Sequence, residues 1–160
     1  MKALRTFVLL TALLPGTSAL AHSPAASPLT GRWTVDVSRL AMAPAARPKS
    51  VTITFSDPGQ GSWQTQVDIV DAGGGKSHVV GIATLDGKAA KVEGSAEADA
   101  VALKMPEPGV LVMALSRSGV PASTRIYTVD VGGKTMTETV TYLGSDGLPF
   151  MRTNYFARAD

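Results

Sequence analysis

The stretch TRIYTVDVGGKTMTETVTY, residues 124–142, alternates in two halves about a glycine pair. In the first half Arg125, Tyr127 and Val129 share one face. In the second, Met136, Glu138, Val140 and Tyr142 lie opposite Thr135, Thr137, Thr139 and Thr141. A period of two, carried by β-branched and aromatic residues, predicts two strands, and Gly132-Gly133 predicts the hairpin turn joining them. If the Met/Val/Tyr face turns inward, Glu138 becomes a buried carboxylate that must be paired or protonated. Arg125 on the preceding strand or Arg152 on the following one is the candidate partner. Such a pair, with Tyr127, Met136 and Tyr142 beside it, could orient a ligand carboxylate or hydroxyl. The competing expectation places Glu138 in solvent near a rim.

The same alternation extends in both directions. Val51, Ile53 and Phe55 alternate with Thr52, Thr54 and Ser56, and Trp63, Thr65, Val67 and Ile69 define one face of the next strand. Gly31–Val37 is expected to be a strand, with Trp33, Val35 and Val37 on one face. Turn signals separate the runs: Asp57-Pro58-Gly59, Gly73-Gly74-Gly75, Asp86-Gly87, Pro106-Glu107-Pro108-Gly109 and Asp146-Gly147. Ser38–Pro48 is rich in Ala and Pro and has room for one helical turn before Pro44 stops it. Further strands are read at His78–Leu85, Ala89–Glu93, Ala98–Met105, Val110–Ser116 and Phe150–Ala157. Roughly nine or ten short strands at such spacing predict an antiparallel meander, which closes into a barrel or folds into a sandwich. Closure removes unpaired edges, so the expected fold is a single all-β antiparallel barrel of about eight to ten strands.

The N-terminus reads as an address. Lys2 and Arg5 precede an apolar run, Phe7–Leu14, then Pro15-Gly16 and the small residues around Ala19-Leu20-Ala21. This is the pattern of an export signal cleaved after Ala21; an eight-residue run, seven apolar residues and Thr11, is far short of the roughly 20 that span a bilayer as a helix. The expected organisation is a signal peptide at 1–21, a flexible Pro-rich leader at 22–28 and the barrel domain at 29–160, in a periplasmic or secreted product. No later apolar run is long enough for a transmembrane segment. The net charge of +2 belongs to Lys2 and Arg5, so without them basic and acidic residues balance at 13 each. No basic stripe is present for nucleic acid. Cysteine is absent, which excludes disulfides, thiolate metal sites and a Cys nucleophile.

Gly31-Arg32-Trp33 opens the first strand and Tyr155-Phe156-Ala157-Arg158 closes the last. This pairing resembles the calycin superfamily, which includes lipocalins and fatty-acid-binding proteins. The resemblance implies a lipocalin-like barrel in which Trp33 packs at the closed end against a basic residue, Arg158 in preference to Arg152. Gly31-Arg32-Trp33-Thr34-Val35-Asp36-Val37-Ser38, Pro48-Lys49-Ser50-Val51 and the later Gly133-to-Thr137 run resemble small exported bacterial lipocalin-like proteins. By analogy of fold alone, that implies small-molecule binding. On physical grounds a guanidinium over an indole gains about 0.5–2 kcal/mol and caps an open barrel end.

Motifs for chemistry are sparse. Gly75-Lys76-Ser77 and Gly133-Lys134-Thr135 mimic the end of a phosphate loop, but the leading glycine and the following helix are missing. Cleavage after Ala21 would make His22 a terminal residue, so His22 and His78 are a candidate copper brace, for a copper carrier or an oxygenase; a solvated terminal His and a strand His are the plainer expectation. No G-x-S-x-G elbow or S-x-x-K occurs. Glu93, Glu97 and Asp99 read as a solvated connection. Val, Ile, Leu, Met and Ala outnumber aromatics, so a cavity would suit an aliphatic guest. The expected function is an exported, non-catalytic binder of a small, largely aliphatic molecule, with no cofactor. The alternatives are a structural or interaction protein with a side-chain-filled barrel, and the copper reading. Oligomeric state is open.

Overall fold

The computed structural model describes residues 26–159. Among them the chain forms ten strands: β1 (Gly31–Val35), β2 (Ser50–Gly59), β3 (Ser62–Val70), β4 (Lys76–Thr84), β5 (Asp86–Glu93), β6 (Ala100–Glu107), β7 (Val110–Arg117), β8 (Val120–Val129), β9 (Thr135–Leu143) and β10 (Pro149–Ala159). Each is antiparallel to the next, and β10 returns to β1, closing the barrel. The seam pairs Trp33 with Arg158 and Val35 with Phe156. The expected signal peptide and residues 22–25 of the expected leader lie outside the described residues.

Alternation decides which side chains enter the barrel. On β2 and β3 the inward set includes Ile53, Phe55, Trp63 and Thr65; on β9 it is Met136, Glu138 and Val140. One end of the barrel is filled solidly by part of this set. There Leu29, Trp33, Phe55, Trp63, Leu111 and Phe156 are all buried. Phe55 meets Tyr127 edge-on, with ring centroids 5.2 Å apart, a favourable quadrupole arrangement. Each large side chain buried in this way contributes roughly 1.5–3 kcal/mol.

Closure of that end is held by Arg158. Its guanidinium carbon stands 4.1 Å from the centroid of the Trp33 ring. The same side chain donates to the carbonyls of Gly133 (2.7 Å), Thr30 (2.9 Å) and Pro28 (2.6 Å). The Trp33 indole N–H donates to Leu29 O at 2.8 Å. Gly31 adopts φ +123°, and a Cβ there would lie 2.7 Å from Arg158 Nη1. The glycine of the Gly-x-Trp pattern therefore leaves room for the guanidinium.

Several boundaries differ from expectation for local reasons. Ser27 and Pro28, expected as leader, are tied down: Ser27 Oγ donates to Pro108 O, and Pro28 O accepts from Arg158. Strand β1 stops at Val35 because the Asp36 carboxylate accepts from Ser38 N and starts a 3-10 turn over Val37–Arg39. Pro44 begins a second 3-10 turn, Pro44–Ala46, at the first-turn position where a missing N–H costs nothing. The expected Asp86-Gly87 turn falls at Leu85, because Asp86 accepts from Thr84 Oγ1 and from Lys88 N. Ser95 Oγ accepts from the backbone of Glu97 and Ala98, which keeps Ala98 out of β6. The thinnest seam in the wall is β4–β5, where only Val80–Glu93 and Gly81–Val92 are in register among the described residues. Among those residues no helix is long and apolar enough to cross a membrane.

Candidate functional site

The hairpin β8–β9 and its neighbour β10 set four polar side chains into the middle of the barrel. Register places Tyr127 opposite Glu138, and Glu138 opposite Asn154. Glu138 is 2% exposed. Its Oε1 accepts from Tyr127 Oη at 2.7 Å and from Arg125 Nη1 at 2.9 Å. Its Oε2 accepts from Asn154 Nδ2 at 2.6 Å. Three donors converge on one carboxylate, which is how a buried charge becomes tolerable. Arg125 reaches the other way as well: Nη2 donates to Glu97 on the β5–β6 connection, whose second oxygen accepts from Ser123 Oγ. The guanidinium is thus bracketed by two carboxylates.

The electrostatics follow from that geometry. Burial works against the Arg125 charge, but the surrounding carboxylates of Glu138 and Glu97 overcome it and hold its pKa above the usual value. Burial also pushes the Tyr127 phenol well above its usual value, and the Glu138 charge adds to the effect. Tyr127 accordingly stays a neutral donor.

Beyond this network the interior is open. One cavity of about 290 Å³ is walled by aliphatic side chains, among them Val67, Val79, Val92, Val101 and Leu115, with Arg125 and Tyr127 at its inner boundary. Gly94–Glu97 of the β5–β6 connection form part of its margin. A second cavity of about 210 Å³ lies under Leu40, Ala41 and Met42 of the β1–β2 connection and is bounded by Glu138, Arg152 and Asn154. Val67, Ile69 and Arg125 line both, so the two adjoin. Four buried polar atoms in this region have no protein partner: Thr65 Oγ1, Arg125 Nε, Arg152 Nε and Asn154 Oδ1.

The predicted residues separate into three places. Arg125, Tyr127, Glu138 and Arg152 border the cavities. Met136, expected beside a ligand, is buried in the packed end instead, because its register partner Phe156 places it below the Glu138 layer. Tyr142, also expected beside a ligand, borders neither cavity; it stacks near Phe150, centroids 5.3 Å apart, with the Arg152 guanidinium 5.8 Å from its ring. Arg152 therefore belongs to the end opposite Arg158. His78 is on the outer face, exposed, with Nδ1 2.7 Å from Asp68 Oδ1. His22 lies outside the described residues, as does any pairing of it with His78. Gly75-Lys76-Ser77 and Gly133-Lys134-Thr135 sit at hairpin turns whose backbone N–H groups are taken by Asp71 and Asp130.

Two participants escaped the sequence reading. Asn154 carried a signal, since it alternates in period with Arg152 and Phe156. Glu97 carried none; it sits in an irregular connection, and only the closed wall brings it to Arg125.

No family model matches the chain, and no curated protein matches it in sequence. Among solved structures it is similar to a Schistosoma mansoni fatty acid binding protein in complex with arachidonic acid, at 14% identity and TM-score 0.53, covering 85% of this chain and 99% of that one. It is similar also to Echinococcus granulosus fatty-acid-binding protein 1, at 13% identity and TM-score 0.51, covering 83% and 98%. At such identities the likeness is one of fold, a closed antiparallel β-barrel.

Proposed function

We propose that this protein is an extracytoplasmic carrier that holds a small, largely aliphatic molecule inside its barrel without transforming it. The observation that carries the reading is the cavity of about 290 Å³ walled by valine and leucine side chains. Its size is near the lower end of small-molecule sites, and its character is that of an apolar guest chamber with a few placed polar groups. The likeness of fold to two fatty-acid-binding proteins is consistent with it. The polar centre weighs against catalysis: the Glu138 carboxylate is already engaged by Arg125, Tyr127 and Asn154 and is not free to act as an acid or base. Export rests on the pattern of residues 1–21 and a cysteine-free chain.

A scaffold with a side-chain-filled barrel is the second reading, and the interior volume weighs against it. A copper site built on His78 draws no support from that residue's outward position beside Asp68. The test is native extraction of the purified protein followed by mass spectrometry of the released material, with titration by a neutral apolar fluorophore. A co-purifying apolar molecule and saturable fluorophore binding are expected. Failure of both would remove the carrier reading.

A further inference from the structure

The outer surface of the barrel is divided by charge. On β3, β4 and β5 the outward alternation carries Asp68, Lys76, His78, Lys91 and Glu93. On the four adjacent strands β7 to β10 the charged residues are Arg117, Arg125, Glu138, Arg152 and Arg158, and every one falls in the inward alternation. The outward face of these strands holds apolar and hydroxyl side chains alone. Val112, Ile126, Thr139 and Thr153 are successive register partners across it. Ala114, Thr124, Thr141 and Met151 form the neighbouring row. Lys104, the register partner of Val112 on β6, marks one border. Arg39, 3.3 Å from the centroid of the Tyr155 ring, marks the other.

Strand propensity explains the threonines but not the missing charges, because β3 and β4 are strands too and carry Asp68 and Lys76 outward. A solvent face of a small domain ordinarily mixes both signs at roughly a quarter to a third of its positions. This wall instead leaves large apolar side chains in the open. Ile126 is exposed at its centre, and toward the open end of the barrel Val120, Leu143 and Met151 are 66%, 69% and 66% exposed.

We infer that the outer wall of β7 to β10 is the surface on which two copies of this chain meet, related by a two-fold axis. A two-fold interface presses one patch against the same patch, so any charge near its centre faces its own sign. A face without charge escapes that penalty, and it offers a charged partner nothing to complement. Each threonine hydroxyl both donates and accepts, so a threonine row can pair with an identical row. A bilayer is the poorer match, since those hydroxyls would lose water and gain no partner. Closure of the barrel leaves no free edge for strand addition, which restricts the copies to a face-to-face contact. Size agrees: four strands about 4.8 Å apart, with β9 nine residues long at about 3.3 Å each, span about 570 Å² in projection. Side-chain relief enlarges that toward the ~800 Å² each partner gives up in a standard interface.

The experiment is sedimentation equilibrium of the purified protein at about 1–100 µM, where a dimer is expected because interfaces of this size dissociate at micromolar concentrations or below. Thr139→Lys and Thr139→Glu, each placing one charge in the middle of the wall, should weaken the dimer by about a hundredfold or more. Mixed together, the two variants should form a heterodimer tighter than either homodimer. Gln66→Lys, on the outward face of β3, should leave association unchanged. Far-ultraviolet circular dichroism reports whether each variant keeps its fold, and Thr153→Lys repeats the test one strand away. A monomer throughout the range overturns the inference, as does a dimer indifferent to Thr139→Lys and Thr153→Lys. A monomer that instead co-floats with neutral phosphatidylcholine vesicles overturns it too, and assigns the wall to a bilayer. The carrier reading is untouched by any of these results.

Discussion

Trp33 and Arg158 are direct register partners across the seam where the first strand meets the last, and the guanidinium lies over the indole at 4.1 Å. Three backbone carbonyls accept from the same guanidinium. Arg158→Ala removes the stacking and strands those carbonyls, so it should cost about 2–4 kcal/mol. Arg158→Lys keeps the charge but not the planar fork, and should recover less than half of that loss. Urea unfolding followed by tryptophan fluorescence measures both.

Glu138 and Arg125 should behave as a unit. Glu138→Ala leaves a mostly buried guanidinium with only Glu97, and a loss of about 3–5 kcal/mol is expected. Removing both charges together, in Arg125→Met with Glu138→Leu, should be much milder than the sum of the singles. A double-mutant cycle reads the coupling, and additive singles would show that the pair is not the unit described.

Tyr127 predicts an alkaline limb to the stability curve. Its folded pKa is raised well above the ordinary value of 10.0, by burial and by Glu138. An acid held protonated in the fold contributes stability that is fully present below the unfolded pKa and is lost as pH rises through and beyond about 10. Tyr127→Phe should lose about 1 kcal/mol at neutral pH with its hydrogen bond, yet show a shallower fall above about pH 10. Chemical denaturation across that range, wild type against variant, gives the difference.

Filling the valine-walled chamber should separate binding from folding. Val79 and Leu115 both line it, and both are only partly buried. The pair Val79→Phe and Leu115→Phe should weaken Nile red binding by about tenfold or more while stability changes by less than about 1.5 kcal/mol. A packed interior would give the opposite, with overpacking strain and no change in binding.

Gly94 sets the margin of the chamber. It adopts φ +78°, and a Cβ there would fall 2.1 Å from the His78 carbonyl oxygen. Gly94→Ala cannot keep the present backbone, so the Gly94–Glu97 segment must move and Glu97 must leave Arg125. Stability should fall by about 1–3 kcal/mol, and the dissociation of Nile red, read by stopped flow, should quicken.

Period-two alternation made the strands readable, because every side chain in a closed wall must point either in or out. The hairpin at 124–142 shows why this reaches the site: one face holds Arg125, Tyr127, Glu138 and Val140, and only one of the two faces can be dry. Depth along the barrel was not readable. Met136 and Glu138 share a face, yet one is locked in the packed end and the other meets the cavities, a distinction that depends on register with β10. Glu97 could not be found at all, since its partner is 28 residues away and its own segment has no period. Ser27 and Pro28 resembled a loose leader because their partners, Pro108 and Arg158, are distant in the chain.

The union of β1 with β10 also governs how the molecule comes into being. Synthesis delivers Trp33 long before Arg158, and until the final strand is available both margins of the growing sheet present bare amides and carbonyls. Assembly must therefore wait for the C-terminal segment, and sheet closure over so long a sequence separation is expected on the order of milliseconds to seconds. A transcript cut short before residue 150 would yield not a smaller vessel but an adhesive ribbon, destined for proteolysis or aggregation.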